Sequence, residues 1–225
     1  MHTKSETMSK YPILLFDFDG TIASSKRSIF IKIHALCDHF QLQPPSDDTI
    51  TEALYSGNSI LPMLASNMYG SRPSQTQLNT WSDYYESLPN KPELYPHIAK
   101  IIPTLATHRT LHIVSNHPSQ HTLRFLQMDR INDYFQTILG PKLPAIRPKP
   151  STDMFTIIQS QHPNASLSDF LMIGDTIADM HFATSCGIDI AWAKYGLGDV
   201  SHIQAHESFT HTLSSPLDLL NLLPA

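Results

Sequence analysis

Four aspartates and one lysine carry the chemistry available to this sequence. Asp17 and Asp19 stand in Asp17-Phe18-Asp19-Gly20-Thr21, and Asp175 and Asp179 stand in Gly174-Asp175-Thr176-Ile177-Ala178-Asp179. Side chains alternate along an extended chain, so Asp17 and Asp19 point to one side if the strand continues through them. Two carboxylates ~4 Å apart repel by about 4 kcal/mol at an effective dielectric of ~20. Such a pair needs a cation between its members or a proton on one of them. Oxygen donors of this kind suit a hard ion such as Mg²⁺. Gly20 lets the chain turn sharply just after the pair. Ser115-Asn116 and Lys149, in Arg147-Pro148-Lys149-Pro150, add a hydroxyl, an amide and a cation. A hydroxyl, a lysine and a divalent cation around carboxylates make a phosphate site.

The elements that must position these residues are legible in the apolar pattern. Ile13 to Phe18 is a short apolar run bounded by Pro12 and Gly20, which suits a buried strand. Leu111 to Val114, Phe170 to Ile173 and Ile188 to Trp192 are similar, with helical patterns between them. Strand–helix alternation predicts a doubly wound, Rossmann-like α/β core with a parallel sheet covered on both faces. In such a sheet the strand C-termini share one edge, where ligands bind. Asp17, Asp19, Ser115, Asp175 and Asp179 should therefore converge there. The proline-rich stretch from Pro141 to Pro150 cannot be helix and reads as an ordered loop.

One segment breaks the alternation. From Ser25 to Pro89 the apolar residues recur at helical spacing, as in Ile29, Ile33, Leu36, Cys37 and Phe40, and then Leu54, Ile60, Leu61, Leu64 and Met68. Trp81, Tyr84, Tyr85 and Leu88 close the segment as core. This predicts an all-helical insertion over residues 24–90, with the core formed by 1–23 and 91–225. Pro44-Pro45 and Ser71-Arg72-Pro73-Ser74 read as turns inside it. Arg72 and the Ser56-Gly57-Asn58 loop are its candidates for reading a ligand.

Composition narrows the function classes. The net charge of -5, from 15 Lys+Arg against 20 Asp+Glu, gives no electrostatic footprint for nucleic acid. No stretch approaches the ~20 apolar residues of a membrane span. The first ten residues lack the apolar core of a secretory signal, so a cytoplasmic location is expected. Cys37 and Cys186 fall in different units and read as reduced, buried thiols. His202 and His206 share a helical face, but lack the glutamate and third ligand of a zinc protease.

These motifs, in this order, resemble the haloacid dehalogenase superfamily of aspartate-nucleophile phosphohydrolases, over nearly the whole chain. The helical insertion resembles that family's α-helical cap, and the pattern is similar to phosphoglycolate-phosphatase-like members. The resemblance implies that Asp17 is the nucleophile, and that Asp19 is the acid that protonates the leaving oxygen and then the base that activates water. It implies Mg²⁺ held among Asp17, Asp19 (through its backbone carbonyl), Asp175 and Asp179. Asp179 would complete this acidic network or orient Lys149. Ser115 and Lys149 would bind the transferring phosphoryl group. Gly20, Thr21, Asn116 and His117 would complete the substrate side. The partner implied is a small phosphorylated metabolite, whether a phosphoglycolate-like acid, a sugar phosphate or a nucleotide; the oligomeric state is left open. Asp19 argues for transfer to water, because dehalogenases of the superfamily lack that carboxylate. A β-phosphoglucomutase-like phosphomutase ranks lower, because the cap is nearly free of lysine between Ile33 and Asn90. A non-catalytic member that only binds a phosphorylated ligand is the remaining alternative. Two departures fall on the substrate side. Ala23-Ser24-Ser25 replaces an Asp-Ser pair common in phosphoglycolate-phosphatase-like members, and His117 replaces a frequent lysine.

Overall fold

The computed structural model describes residues 10–55, 61–62, 65, 68, 72–88, 92–142, 144–196 and 209–223. The four apolar runs are strands: β1 (Ile13–Phe16), β4 (Thr110–Val114), β6 (Phe170–Gly174) and β7 (Asp189–Ala193). Two further strands, β5 (Phe135–Leu139) and β8 (His211–Leu213), complete a six-stranded sheet of order β5-β4-β1-β6-β7-β8. Every neighbouring pair in it is parallel. Both added strands lie at the sheet edges, where one side is open, so neither carries the continuous buried run that marks β1 or β6.

Alternation along each strand divides the core into two layers. Leu14, Phe16, Leu111, Ile113, Leu171 and Ile173 face Ile98, Ile101, Ile102 and Leu105 of α4 (Ile98–Ala106). Leu126 of α5 (Ser119–Met128) packs on the same side. Ile13, Leu15, Phe170 and Met172 face the opposite way, onto α6 (Asp153–Ser160) and α7 (Ile177–Cys186). Burial of β1 on both faces explains why Ile13-Leu14-Leu15-Phe16 is apolar without a break.

The described residues between Lys26 and Ser87 are mainly helical, as their pattern predicts. They contain α1 (Lys26–Phe40), α2 (Asp47–Tyr55) and α3 (Gln75–Ser87). Ser74 starts α3 with a reciprocal capping box to Gln77. These helices have a separate core of Ile33, Leu36, Cys37, Ile50, Leu54, Trp81 and Tyr85. The chain leaves and re-enters the sheet domain through a two-stranded antiparallel ribbon of β2 (Ala23–Ser24) and β3 (Glu93–Leu94). Cys37 and Cys186 are both free and buried. The Ser56-Gly57-Asn58 loop, Leu64, Ile60 and the His202/His206 pair lie outside the described residues. No described helix is long and apolar enough to cross a membrane.

Candidate active site

The site begins where β1 ends. The amide of Asp17 still donates to the carbonyl of Ile173 at 2.8 Å, so β6 fixes the backbone of Asp17 beside Gly174 and Asp175. The chain then turns through Gly20, whose φ is +86°, and a Cβ there would stand 2.2 Å from Oδ2 of Asp175. No side chain fits between the two acidic motifs at that point. After β6, Asp179 closes a capping box with Thr176 at the start of α7. Its Oδ2 accepts from the Thr176 amide at 3.0 Å and the Thr176 hydroxyl at 2.8 Å. Gly174 lies against this box, since a Cβ there would meet Cγ of Asp179 at 2.4 Å.

Lys149 joins the two motifs. Its Nζ donates to Oδ1 of Asp17 at 2.7 Å and to Oδ1 of Asp179 at 2.5 Å, with all three side chains buried. Asn116 clamps the lysine from the backbone side. Its Oδ1 accepts from the Lys149 amide at 2.7 Å, and its Nδ2 donates to the Lys149 carbonyl at 3.2 Å. The Lys149–Pro150 peptide is cis. Burial pushes the Lys149 ammonium toward its neutral form, but the two carboxylates outweigh it and hold the lysine charged well above its usual value.

Donor oxygens of Asp17, Asp175 and Asp179 lie within 4.8 Å of one another, and all three residues are buried. One ammonium for three buried carboxylates leaves negative charge uncompensated. Burial, with the neighbouring carboxylates of Asp179 and Asp19, pushes Asp17 up to about 7 in spite of Lys149. A hard divalent cation fits this set: its donors are oxygens, they are buried and close, and the single Lys149 ammonium does not balance three carboxylates. Both oxygens of Asp179 are already engaged, Oδ1 by Lys149 and Oδ2 by Thr176.

Asp19 faces elsewhere. Its Oδ1 accepts from the Ser25 hydroxyl, and its Oδ2 lies 3.2 Å from Nδ1 of His117. Burial would raise its pKa, but the His117 and Ser25 hydrogen bonds prevail and hold it below the usual carboxylate range. Burial likewise works against charge on His117, yet Asp19 and Glu86 together push it up to about 10. Among the described residues, the Asp19 carboxylate is not part of the cluster formed by Asp17, Asp175 and Asp179.

A cavity of about 560 Å³ opens over these groups. Asp17, Asp19, Ser115, Asn116, His117 and Lys149 form its floor, and Leu54, Leu61, Leu78, Tyr85 and Glu86 of the helical insertion are part of its roof. The amide of His117 donates to Oγ of Ser115 at 3.0 Å. Two expectations need correction. Gly20 and Thr21 do not line the cavity; their amides are used inside the turn, bonding Ala23 and Phe18. The Thr21 hydroxyl points instead toward Oδ1 of Asp175 at 3.4 Å. Arg72 is exposed and also does not line the cavity.

Glu86 and Lys32 are the residues that sequence reading missed. Glu86 Oε2 lies 3.0 Å from Nδ1 of His121, and its Oε1 lies 3.9 Å from Nε2 of His117. Lys32 is a buried lysine one residue before the lysine-poor stretch of the insertion. Its Nζ stands 4.0 Å over the ring of Tyr85 and 3.9 Å from Glu86. Neither residue belongs to a local motif, so spacing along the chain gave no signal for them.

The chain is similar to known proteins in sequence and in fold. A family model described as haloacid dehalogenase-like hydrolase matches residues 14–193. A phosphoglycolate phosphatase of Pasteurella multocida is 26% identical over 201 residues, covering 84% of this chain and 88% of that protein. A predicted phosphoglycolate phosphatase from Haemophilus somnus has a similar structure, with a TM-score of 0.78 and 22% identity over 96% of this chain and 99% of that one. A haloacid dehalogenase hydrolase from Bacillus subtilis, bound to magnesium, is similar at a TM-score of 0.72 and 20% identity, covering 96% of this chain and 99% of that one.

Proposed function

The chain belongs to the haloacid dehalogenase-like hydrolase family, and from that premise we propose that it is a Mg²⁺-dependent phosphatase that hydrolyses a small phosphate monoester through Asp17. One observation carries the reading: the Asp17 carboxylate lines the floor of the cavity, held by Lys149 and surrounded by buried carboxylates. Relatives named phosphoglycolate phosphatase support a phosphate ester of a small alcohol as the substrate.

In the first step an oxygen of Asp17 attacks phosphorus, the bond to the alcohol oxygen breaks, and an aspartyl-phosphate forms. The leaving oxygen takes a proton through Asp19, whose Oδ2 draws it from the His117 imidazolium across their hydrogen bond and returns it there after the second step. In the second step the Asp19 carboxylate removes a proton from water. That water attacks phosphorus, which releases phosphate and restores Asp17. Splitting one displacement into two lets the same pair of aspartates serve both halves. Ser115 and Lys149 bind the phosphoryl oxygens, Asp179 orients Lys149, and Asn116 holds its loop. Asp17, Asp175 and the backbone carbonyl of Asp19 would hold Mg²⁺, whose chemistry is to neutralise charge on the phosphoryl oxygens.

We assign residues 24–90 as a cap on a core of 1–23 and 91–225, with the β2–β3 ribbon as the connection about which it moves. Closure of the cap would exclude bulk water while the phosphoenzyme forms. The test is phosphate release from p-nitrophenyl phosphate with and without Mg²⁺. The wild type should be active only with the metal. Asp17→Asn should lower the rate by roughly a thousandfold or more while its thermal unfolding stays close to wild type. Near-wild-type turnover by that variant would remove Asp17 as the nucleophile.

A further inference from the structure

The roof of the cavity carries information about the alcohol half of the substrate that the shared motifs on the floor do not. Ile29, Leu54, Leu61 and Leu78 supply an apolar wall, and Asn79 and Ser82 supply neutral hydrogen-bonding groups. Among the described residues that line the cavity, no lysine or arginine comes from the helical insertion, and its one charged group there is the carboxylate of Glu86. The insertion residues outside the described set, 56–60, 63, 64, 66, 67, 69–71, 89 and 90, are all uncharged. Lys32 does not line the cavity, and its ammonium is already engaged by Tyr85 and Glu86. Lys26, Arg27 and Arg72 are exposed and do not line it either. On the floor, the Lys149 ammonium is held by Asp17 and Asp179, and the His117 ring lies between Asp19 and Glu86.

We propose that this roof selects phosphate esters of uncharged, apolar alcohols and rejects alcohols that carry a carboxylate; the inference rests on the phosphatase reading above. A carboxylate entering the roof would lose its hydration, gain no cation and meet Glu86. An apolar alcohol loses nothing on the same path and gains burial against the leucines. A volume of about 560 Å³ is also ample for an alcohol of the size of a substituted ring.

The experiment compares benzyl phosphate with 4-carboxybenzyl phosphate, which differ only by a charged group remote from the reacting bond. With Mg²⁺ present, kcat/KM should favour the benzyl ester by at least about tenfold, equivalent to about 1.4 kcal/mol. Asn79→Arg, at an exposed position of the wall, should shrink or reverse that ratio by at least about tenfold, and Leu78→Lys should act in the same direction. Titration calorimetry of both esters into the Asp17→Asn protein with Mg²⁺ reads the same preference without turnover, and should show the benzyl ester binding more tightly. Equal or greater preference for the carboxylate in the wild type and in this binding measurement overturns the inference. So does a ratio that neither cap variant moves. If neither ester releases phosphate, the phosphatase reading fails, and the binding order still decides the selection.

Discussion

At the residue scale, Asp17 and Asp19 are separated by one phenylalanine yet have different surroundings. Lys149 and the acidic cluster surround Asp17, whereas Ser25 and His117 hold Asp19. This division suits one group that must attack and another that must give and take a proton. It leads to a distinct expectation for Asp19→Asn. Turnover of an alkyl phosphate should fall about 10²–10⁴-fold, the usual contribution of a positioned acid. p-Nitrophenolate leaves without a proton, so the same variant should still release it in the first step. Stopped-flow absorbance should show a burst near one equivalent per enzyme, then slow turnover as the aspartyl-phosphate waits for a base. Absence of any burst, with both steps slowed together, would argue against this division of roles.

At the scale of single elements, β4 shows how a buried polar residue ties stability to pH. His112 is fully buried on this strand, and its Nε2 lies 2.9 Å from Nε2 of His162. Burial, followed by the neighbouring His162, pushes its pKa from 6.5 down to about 4. The folded state therefore holds His112 neutral, while the unfolded chain takes up a proton below pH ~6.5. The contribution is fully present above that value and is lost as the pH falls toward about 4, a change of about 2–3 kcal/mol. Denaturant unfolding at steps between pH 7 and pH 4 should show this loss in the wild type and a flatter profile in His112→Leu. Equal slopes in the two proteins would exclude His112 as the source. At α7, the Thr176–Asp179 capping box has two uses, since the residue that satisfies the helix start also holds Lys149.

At the scale of the molecule, the cavity exists because the helical insertion covers the sheet edge, and Glu86 is a charged contact across that boundary. It pairs with His121 from the core and stands near His117. Ion pairs of this exposure contribute up to about 1 kcal/mol each. Glu86→Gln should therefore raise KM by roughly threefold to fivefold, with thermal stability nearly unchanged, because the insertion keeps its own core around Leu36, Leu54, Trp81 and Tyr85. Steady-state kinetics beside a thermal unfolding curve would check both halves. An unchanged KM would show that this contact has no part in holding the cavity closed.

The sequence alone determined the central strands, the helical insertion and the convergence of Asp17, Asp19, Ser115, Asp175 and Asp179. Each follows from local pattern: a doubly buried strand must be apolar throughout, and residues just after parallel strands must meet at one edge. The edge strands β5 and β8 escaped that reading because an edge strand has a weaker apolar signature. Only the tertiary structure decided which oxygens of the four aspartates face one another, and that the Gly20 and Thr21 amides are consumed within their own turn. It alone brought Glu86, Lys32 and the apolar wall of Leu54, Leu61 and Leu78 around the site. Those contacts join residues far apart in the chain, where spacing carries no information and packing of one unit against another sets every distance.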